Sequence, residues 1–383
     1  MTKTALLTLG RLPKALDIAR ALHGAGWRVI IAEPFRTHLC APSKMVHATF
    51  QVPSPVSDES AYLDALEQIT HEQNVSLVVP VSEEALFAAG LKSRLPNTVQ
   101  YFGPGREAIR ALHNKERFVQ IAKTLGLAVP ETARLGTDDA FRLAQRSDVV
   151  CKRIFSSAGI GVEFIDRGAP LPNPSDQATL VQRKLPGRAR NTVSIAHEGR
   201  VIQTVAYEGT IMSHTVSVAF RRIDAPDLDD WIDTFVAAQN YTGFIAFDFI
   251  DDEDGTPHAI ECNPRGNSGL HYLDPASFGK ALTAPEESQS IELRPELLLQ
   301  QFFPCLTETQ GSVFNPIKRK TNWHYLRRSK DVTFSGRDPW PFVLMTWTSR
   351  PILSRAIFKG ESFGEAAVAD IAYTGPNAPR PDT

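Results

Sequence analysis

The sequence predicts a mixed fold, in which a doubly wound α/β domain precedes an α+β region, and two patterns support this prediction. Residues 1–107 alternate apolar strand segments with amphipathic helices, which is typical of βαβ units around a parallel sheet. Residues from about 147 to 263 contain successive strand segments separated by turn residues, which is typical of antiparallel sheets. The chain therefore combines two kinds of sheet, and its 383 residues are enough for two or three domains.

The first βαβ unit can be followed element by element. We expect a strand at Thr4–Leu9, a helix at Pro13–His23 and a second strand at Arg28–Glu33. A further helix is predicted at Asp58–Gln73, with Ser57 as its N-cap. The turn after the first strand lacks the glycine-rich motif of dinucleotide-binding proteins, so the pattern does not predict a dinucleotide site.

Composition and charge narrow the class of protein. The formal net charge is -2, which gives no reason to expect a nucleic-acid partner. No apolar run approaches the ~18 residues of a transmembrane segment. The four cysteines lie far apart without a CxxC pair, which is simplest to explain in a reducing cytoplasm. We therefore expect a cytoplasmic protein, and its length and composition suit an enzyme.

The most informative segment is an acidic hairpin around Asp254–Gly255, since an Asp-Gly pair favours a tight turn. If these are the two turn residues, Asp248 lies directly opposite Glu261. Because strand side chains alternate between faces, Asn263 and Arg265 share the face of Glu261. Two opposed carboxylates repel each other, so the pattern predicts a cation between them, and oxygen ligands suit Mg²⁺.

Three more segments carry candidate ligands for phosphate and base. A helix predicted at Arg106–Leu125 carries Lys115, and a strand that carries Lys152 precedes the small-residue loop 156–161. Glycines in such a loop bring backbone N–H groups close to phosphate oxygens. The segment 180–187 follows as a hinge strand.

In this order, the motifs resemble the ATP-grasp superfamily, with similarity to the fold of carbamoyl phosphate synthetase, biotin carboxylase and D-Ala-D-Ala ligase. The resemblance implies metal ligands at Asp248, Glu261 and Asn263. It implies ATP-binding residues at Lys115, Lys152, Ser156, Ser157, Gly159, Gly161, Gln182, Arg183, Lys184 and Leu185. It implies that Arg265, Arg222 and His271 are catalytic residues that contact the reacting groups.

The resemblance also divides the chain into three parts. Residues 1–107 form a pre-ATP-grasp domain, and residues 108–290 form the ATP-grasp domain, with a small lobe at about 130–187 and a large lobe at about 188–290. Residues 291–383 lie beyond the resemblance and form a C-terminal subdomain or lid of unknown role.

The activity that the resemblance implies is a carboxylate-amine ligation. ATP and Mg²⁺, with Mn²⁺ as an alternative ion, would activate a carboxylate as an acyl phosphate, which an amine then attacks with release of ADP and phosphate. A thiol or phosphoryl acceptor is one alternative, and an ATP-binding sensor subunit without turnover is another. Neither substrate is identified by the sequence, and a homodimer stays open as an assembly.

Several further residues are candidates for the substrate side. Arg190, Arg221 and Arg222 suit a carboxylate or an acyl phosphate, and Glu83 follows a strand end at the ligand-binding edge of an α/β sheet. The ribose contact stays open between Glu163 and Glu208.

The C-terminal region combines a basic stretch, which begins at Lys318–Lys320, with an apolar one at Trp340–Trp347. Such a pair can contact a carrier protein, an anionic membrane surface or a bulky acidic substrate. The alternative is that it packs over the second domain as a lid.

Overall fold

The computed structural model describes residues 2–156, 161–173, 178–213, 216–312 and 314–376. Its strands form three sheets of five, four and seven strands within these ranges. Ser157 and Gly159, which were assigned to the phosphate loop, lie outside the described residues. The predicted combination of a parallel sheet with antiparallel sheets is confirmed.

The N-terminal sheet is entirely parallel, in the order β3-β2-β1-β4-β5. Its strands are β1 (Thr4–Leu7), β2 (Arg28–Glu33), β3 (Ala48–Gln51), β4 (Val75–Val79) and β5 (Gln100–Tyr101). Neighbouring residues of β1 face opposite sides, since Leu7 packs in one hydrophobic core and Leu6 in another. Both faces of the sheet are therefore covered, as a doubly wound fold requires.

Four helices accompany this sheet, namely α1 (Pro13–Gly24), α2 (Glu59–Glu72), α3 (Ala85–Ala88) and α4 (Arg106–His113), and a 3-10 helix spans Ala89–Ser93. Helix α5 (Lys115–Thr124) follows and packs Phe118 against Phe247. Asp58 caps α2 instead of Ser57, because its side chain accepts from the Ala61 N–H. The single helix predicted at Arg106–Leu125 is wrong. Asn114 leaves the helical conformation and accepts from the Arg117 N–H, so a new helix begins at Lys115.

A small antiparallel sheet follows, in the order β6-β9-β7-β8. Its elements are β6 (Thr132–Arg134), α6 (Asp138–Arg146), β7 (Val149–Arg153), β8 (Glu163–Ile165) and β9 (Thr179–Arg183). Helix α6 covers one face and contributes Leu143 to a small separate core with Val149 and Val181.

The largest sheet has seven strands in the order β14-β13-β10-β11-β12-β15-β16. They are β10 (Ala189–His197), β11 (Arg200–Ser213), β12 (Val216–Ile223), β13 (Gly243–Asp251), β14 (Pro257–Asn263), β15 (Leu298–Gln300) and β16 (Lys330–Asp331). Helix α7 (Asp229–Ala238) packs its aromatic face, Trp231 and Phe235, against Phe247. Helix α8 (Pro275–Thr283) packs against α1. Short 3-10 helices span Pro226–Leu228, Ser268–Tyr272 and Pro285–Glu287.

The C-terminal residues extend the large sheet and return to the N-terminal domain. They include α9 (Phe302–Gly311), α10 (Pro316–Arg328), α11 (Trp340–Val343), α12 (Met345–Thr348), α13 (Arg350–Lys359) and α14 (Phe363–Val368). Past α14, Asp370 pairs with the buried Arg11, and the Tyr373 ring packs on Phe87. In the part of the chain that is described, no helix is long and apolar enough to cross a bilayer.

Candidate active site

The predicted opposition of Asp248 and Glu261 is confirmed, although the turn differs from the predicted one. The turn has three residues instead of two, because the Gly255 N–H donates to the Asp252 carbonyl and Gly255 adopts a left-handed φ of 82°. The extra residue shifts the register by one, so that Phe249 pairs with Ala259. A bulge at Ile260 removes this shift and restores the Asp248–Glu261 pair.

The two carboxylates belong to a polar row that runs across four strands. Tyr207 on β11 pairs with Asn191 on β10, Asn191 pairs with Asp248 on β13, and Asp248 pairs with Glu261 on β14. Directly paired residues project from the same face of a sheet, so the row presents oxygen and nitrogen atoms together. The alternate residues Phe247 and Cys262 lie in the core on the other side.

Two buried lysines from different elements approach this row. At the start of α5, Lys115 places its Nζ 3.4 Å from Glu261 Oε1 and donates to the Ser156 carbonyl at 2.8 Å. On β7, Lys152 donates to the carbonyl of Ile260, the bulge residue, at 2.8 Å. The bulge therefore has a second effect, since it leaves this carbonyl available to a lysine from the small sheet.

The charges perturb one another strongly. Burial and the neighbouring Glu261 carboxylate raise the pKa of Asp248 to about 7. Burial acts in the same direction on Glu261, but Lys115 and Lys152 outweigh it and lower its pKa. Burial lowers the pKa of Lys152 to about 8, although Glu261 partly offsets the effect. When both carboxylates are ionised, the nearby cations do not fully offset the negative charge at Asp248.

Asp248, Glu261 and Asn263 line a cavity of about 320 Å³ between the N-terminal domain and the large sheet. Arg265 is part of the lining, and its guanidinium forms an ion pair with Glu83 at 2.5 Å and donates to the Asn263 side chain at 3.1 Å. Lys14 of α1 enters from the N-terminal side and donates to the Gly266 carbonyl at 2.6 Å. Burial and the nearby Arg265 lower its pKa to about 7. The prediction that Glu83 lies in the cleft is confirmed.

His271 borders the same cavity but is already paired. Its Nδ1 lies 2.5 Å from a carboxylate oxygen of Asp17, and the other oxygen of Asp17 accepts from Arg294 at 2.8 Å. Both side chains of the His271–Asp17 pair are buried. The pair joins α1 to the segment after β14, so His271 positions the cavity wall.

Three candidate arginines lie elsewhere, and the assignment of Arg222 to the reacting groups needs correction. Arg222 pairs with Tyr207 in register, but its guanidinium donates to the Arg294 carbonyl and lines a separate cavity. Arg190 is held by Asp227 and Asp251. Arg221 is held by Glu208, which removes that carboxylate as a free ribose ligand. All three guanidinium groups are therefore already paired with groups of the protein itself.

The predicted adenine edge follows the end of β9. Gln182 is buried and donates to the Thr132 hydroxyl, and Leu185 is buried as well. Arg183 reaches Glu253 of the hairpin at 2.7 Å, and Lys184 lies 3.6 Å from Asp148. This segment therefore connects the small sheet to the tip of the hairpin.

Residues Ser156 and Gly161 flank the predicted phosphate loop. Ser156 is buried and contacts Lys115 through its carbonyl and, at 3.3 Å, its hydroxyl. Gly161 adopts a left-handed φ of 73°, which favours glycine. At the hinge, a Cβ on Gly187 would lie 2.3 Å from the Asp251 carbonyl, so glycine allows the hinge to approach β13.

The donor set fits a hard divalent ion. Asp248 and Glu261 offer carboxylate oxygens, and Asn263 adds an amide beside Asp248 at 3.3 Å. Among the described residues, no group of three or more His, Cys, Asp or Glu side chains could hold a metal by itself. This agrees with Mg²⁺ chemistry, in which one or two carboxylates share the ion with waters and substrate phosphates.

Sequence reasoning missed three groups at the cavity, namely Lys14, Asn191 and Tyr207. Asn191 joins the row because β10 pairs with β13, although about 45 residues separate these two strands along the chain. Tyr207 joins it because β11 pairs with β10. Lys14 is a helix residue whose position could have been suspected from its place just after the first strand.

Comparison with known proteins identifies the fold of the chain. No protein-family model matches the sequence, and no curated protein sequence matches it significantly. Solved structures do match. N5-carboxyaminoimidazole synthetase from Staphylococcus aureus, in complex with ADP, gives a TM-score of 0.61 at 16% identity, over 82% of this chain and 86% of that one. The chain has the ATP-grasp fold.

Two further structures with the ATP-grasp fold are similar to comparable extents. Biotin carboxylase from Campylobacter jejuni, in a beta-gamma-ATP complex, gives a TM-score of 0.60 at 17% identity, covering 76% of this chain and 74% of that one. L-amino acid ligase from Bacillus licheniformis gives 0.55 at 16% identity, covering 76% and 75%. The ATP-grasp fold therefore accounts for about three quarters of the chain or more.

Proposed function

We propose that this protein is an ATP- and Mg²⁺-dependent ligase that couples a carboxylate to an amine. The observation that carries the proposal is the pair Asp248–Glu261, which faces the cavity with Lys115 and Lys152 beside it. Two opposed carboxylates and two lysines suit a metal-bound polyphosphate better than any uncharged ligand. The ATP-grasp fold and the ADP and beta-gamma-ATP complexes of the similar structures support the same assignment.

Each group has a role in this proposal. Asp248, Glu261 and Asn263 would hold Mg²⁺, which supplies charge neutralisation for the ATP phosphates. Lys115 and Lys152 would bind phosphate oxygens, together with the loop that follows Ser156. Gln182, Arg183, Lys184 and Leu185 would lie at the nucleotide base.

The carboxylate substrate would bind on the other side of the cavity. Arg265, fixed by Glu83, would orient it for attack on the terminal phosphate, and Lys14 adds a second cation. The products of the first step are an acyl phosphate and ADP. An amine then attacks the acyl carbon, the C–O bond to phosphate breaks, and phosphate leaves.

Hydroxylamine trapping tests the proposal directly. The purified protein is incubated with Mg-ATP, pooled carboxylic acids and hydroxylamine, and both ADP and hydroxamate are measured. We expect equal amounts of the two products, dependent on Mg²⁺. Binding of ATP without ADP release under any acid and acceptor would contradict the proposal and favour a sensor.

A further inference from the structure

A second cavity, apolar in character, adjoins the candidate active site. It has a volume of about 360 Å³, within the ~300–1,000 Å³ typical of small-molecule pockets. Leu39 of the N-terminal domain forms one wall. Phe302 and Phe303 of α9 form another, and Ile352 and Leu353 of α13 form a third.

The two cavities have a common boundary. Leu12, Pro13, Gln301 and Phe363 line both, so the two cavities adjoin at these four residues. The residue after Pro13, Lys14, already faces the polar cavity. A ligand held at the polar row can therefore extend into the apolar cavity across this boundary.

The charged groups in the apolar lining have protein partners. Arg11 is buried, pairs with Glu33 and Asp370, and lies over the Phe35 ring. Glu308 accepts from the Ser213 hydroxyl at 2.7 Å. Since burying an unpaired charge is costly, this lining favours an uncharged apolar group over a charged one.

On the basis of the proposed function, we infer that the carboxylic acid substrate carries an aliphatic tail, which occupies this cavity. Its carboxylate would lie at Arg265, where the reaction takes place, and its hydrocarbon chain would cross the boundary at Leu12 and Phe363. Burying each methylene contributes a roughly fourfold gain in affinity. Amino acids and short polar acids are then poor substrates, because they leave the cavity unfilled or bring a charge towards it.

The test is a chain-length series of straight-chain acids from butyrate to dodecanoate, assayed with Mg-ATP and hydroxylamine. We expect kcat/KM for hydroxamate formation to rise roughly fourfold per methylene until the cavity is filled, and then to fall. Hydroxylamine replaces the unidentified amine, so the series reports on the acid alone.

A matched pair of variants on α9 locates the effect. Thr307 lines the apolar cavity, and Thr307→Trp should fill part of it. Gln310 is exposed on the same helix outside that lining, so Gln310→Trp serves as the control. We expect Thr307→Trp to lower kcat/KM for decanoate roughly fourfold for each methylene displaced, while activity with butyrate is retained. Gln310→Trp should keep the wild-type series.

Calorimetric titration separates failure of this inference from failure of the proposed function. The protein is titrated with Mg-ATP, decanoate and butyrate separately. Decanoate binding that Thr307→Trp weakens supports the apolar site even if no acid is turned over. A flat chain-length series, or decanoate affinity that is unchanged in Thr307→Trp, would overturn the inference. Turnover of short polar acids in that case would leave the ligase function intact.

Discussion

The guanidinium of Arg265 and the carboxylate of Glu83 form an ion pair of 2.5 Å that joins the end of β14 to the loop after β4. Both side chains are almost fully buried, with exposed fractions of 13% and 4%. The pair thus connects the acidic hairpin to the N-terminal domain and fixes a cation in the wall of the cavity. It contributes to both the stability and the proposed chemistry.

Removing Arg265 should destabilise the protein. Arg265→Met leaves Glu83 buried without its principal partner, which typically costs about 3–5 kcal/mol. Arg94→Met is the control, because Arg94 pairs with Asp64 and Glu67 at the surface and should cost at most about 1 kcal/mol. Urea unfolding measures both. Equal free energies of unfolding for the two variants would show that the buried Arg265–Glu83 pair stabilises the protein no more than the exposed pairs of Arg94.

Glu261→Gln should abolish turnover while the fold is retained. The substitution keeps the size of the side chain but removes a proposed metal ligand and the partner of Lys115. We expect the rate of ADP release to fall about 10²–10³-fold. Glu253→Gln, on the exposed hairpin tip, should remain active. Wild-type ADP release by Glu261→Gln, measured with a coupled assay, would remove Glu261 from the site.

The binding of Mg²⁺ should strengthen as the pH rises. The metal-free Asp248 has a pKa of about 7, and a proton must leave before this carboxylate binds an ion. Apparent affinity should therefore rise about tenfold per pH unit below pH 7 and level off above it. Calorimetric titration with MgCl₂ and ADP between pH 6 and 8 measures this. An affinity independent of pH would contradict the role of Asp248.

Stability should show the opposite dependence at the same residue. An acid whose pKa is raised on folding makes the folded state less stable as the pH rises from its ordinary value of 3.8 towards 7. Without divalent ions, Asp248→Asn should therefore melt above the wild type at pH 8 and by a smaller margin at pH 5, where only part of this loss has occurred. Thermal unfolding at both pH values measures the difference in melting temperature. Identical melting temperatures at pH 8 would show that burial and Glu261 do not destabilise the Asp248 carboxylate.

Lys152→Met should weaken ATP binding. A hydrogen bond to a charged group contributes about 1.5–3 kcal/mol, so affinity should fall about 10–100-fold. Because the pKa of Lys152 is about 8, wild-type affinity should also fall above pH 8, and the variant should lack this fall. Lys123→Met, on the exposed side of α5, is the control. Fluorescent nucleotide titration gives the three affinities.

The hairpin shows how far local pattern reaches. Alternation along two strands was enough to predict that Asp248 opposes Glu261, although the turn was taken as one residue too short. The pair is nevertheless found because the bulge at Ile260 compensates. Sequence could not place that bulge, since its stabilising contact is the lysine of β7, which is distant along the chain.

Other differences have the same origin. Helix pattern alone joined α4 to α5, whereas the Asn114 side chain caps a new helix and aims Lys115 at Glu261. Arg222 was predicted at the reacting groups from the resemblance of its segment to the ATP-grasp superfamily and from its charge. Its position was decided by the Arg294 carbonyl, more than 70 residues away.

The sequence by itself determined the two kinds of sheet, the acidic hairpin and the order of the lysines, because periodicity and turn chemistry are local. Only the tertiary structure decided which of these side chains share a cavity. Pairing of β10 with β13 aligned Asn191 and Tyr207 with the carboxylates. Packing of the C-terminal helices against the N-terminal domain enclosed the apolar cavity. Both depend on contacts between residues distant in sequence, which no local pattern encodes.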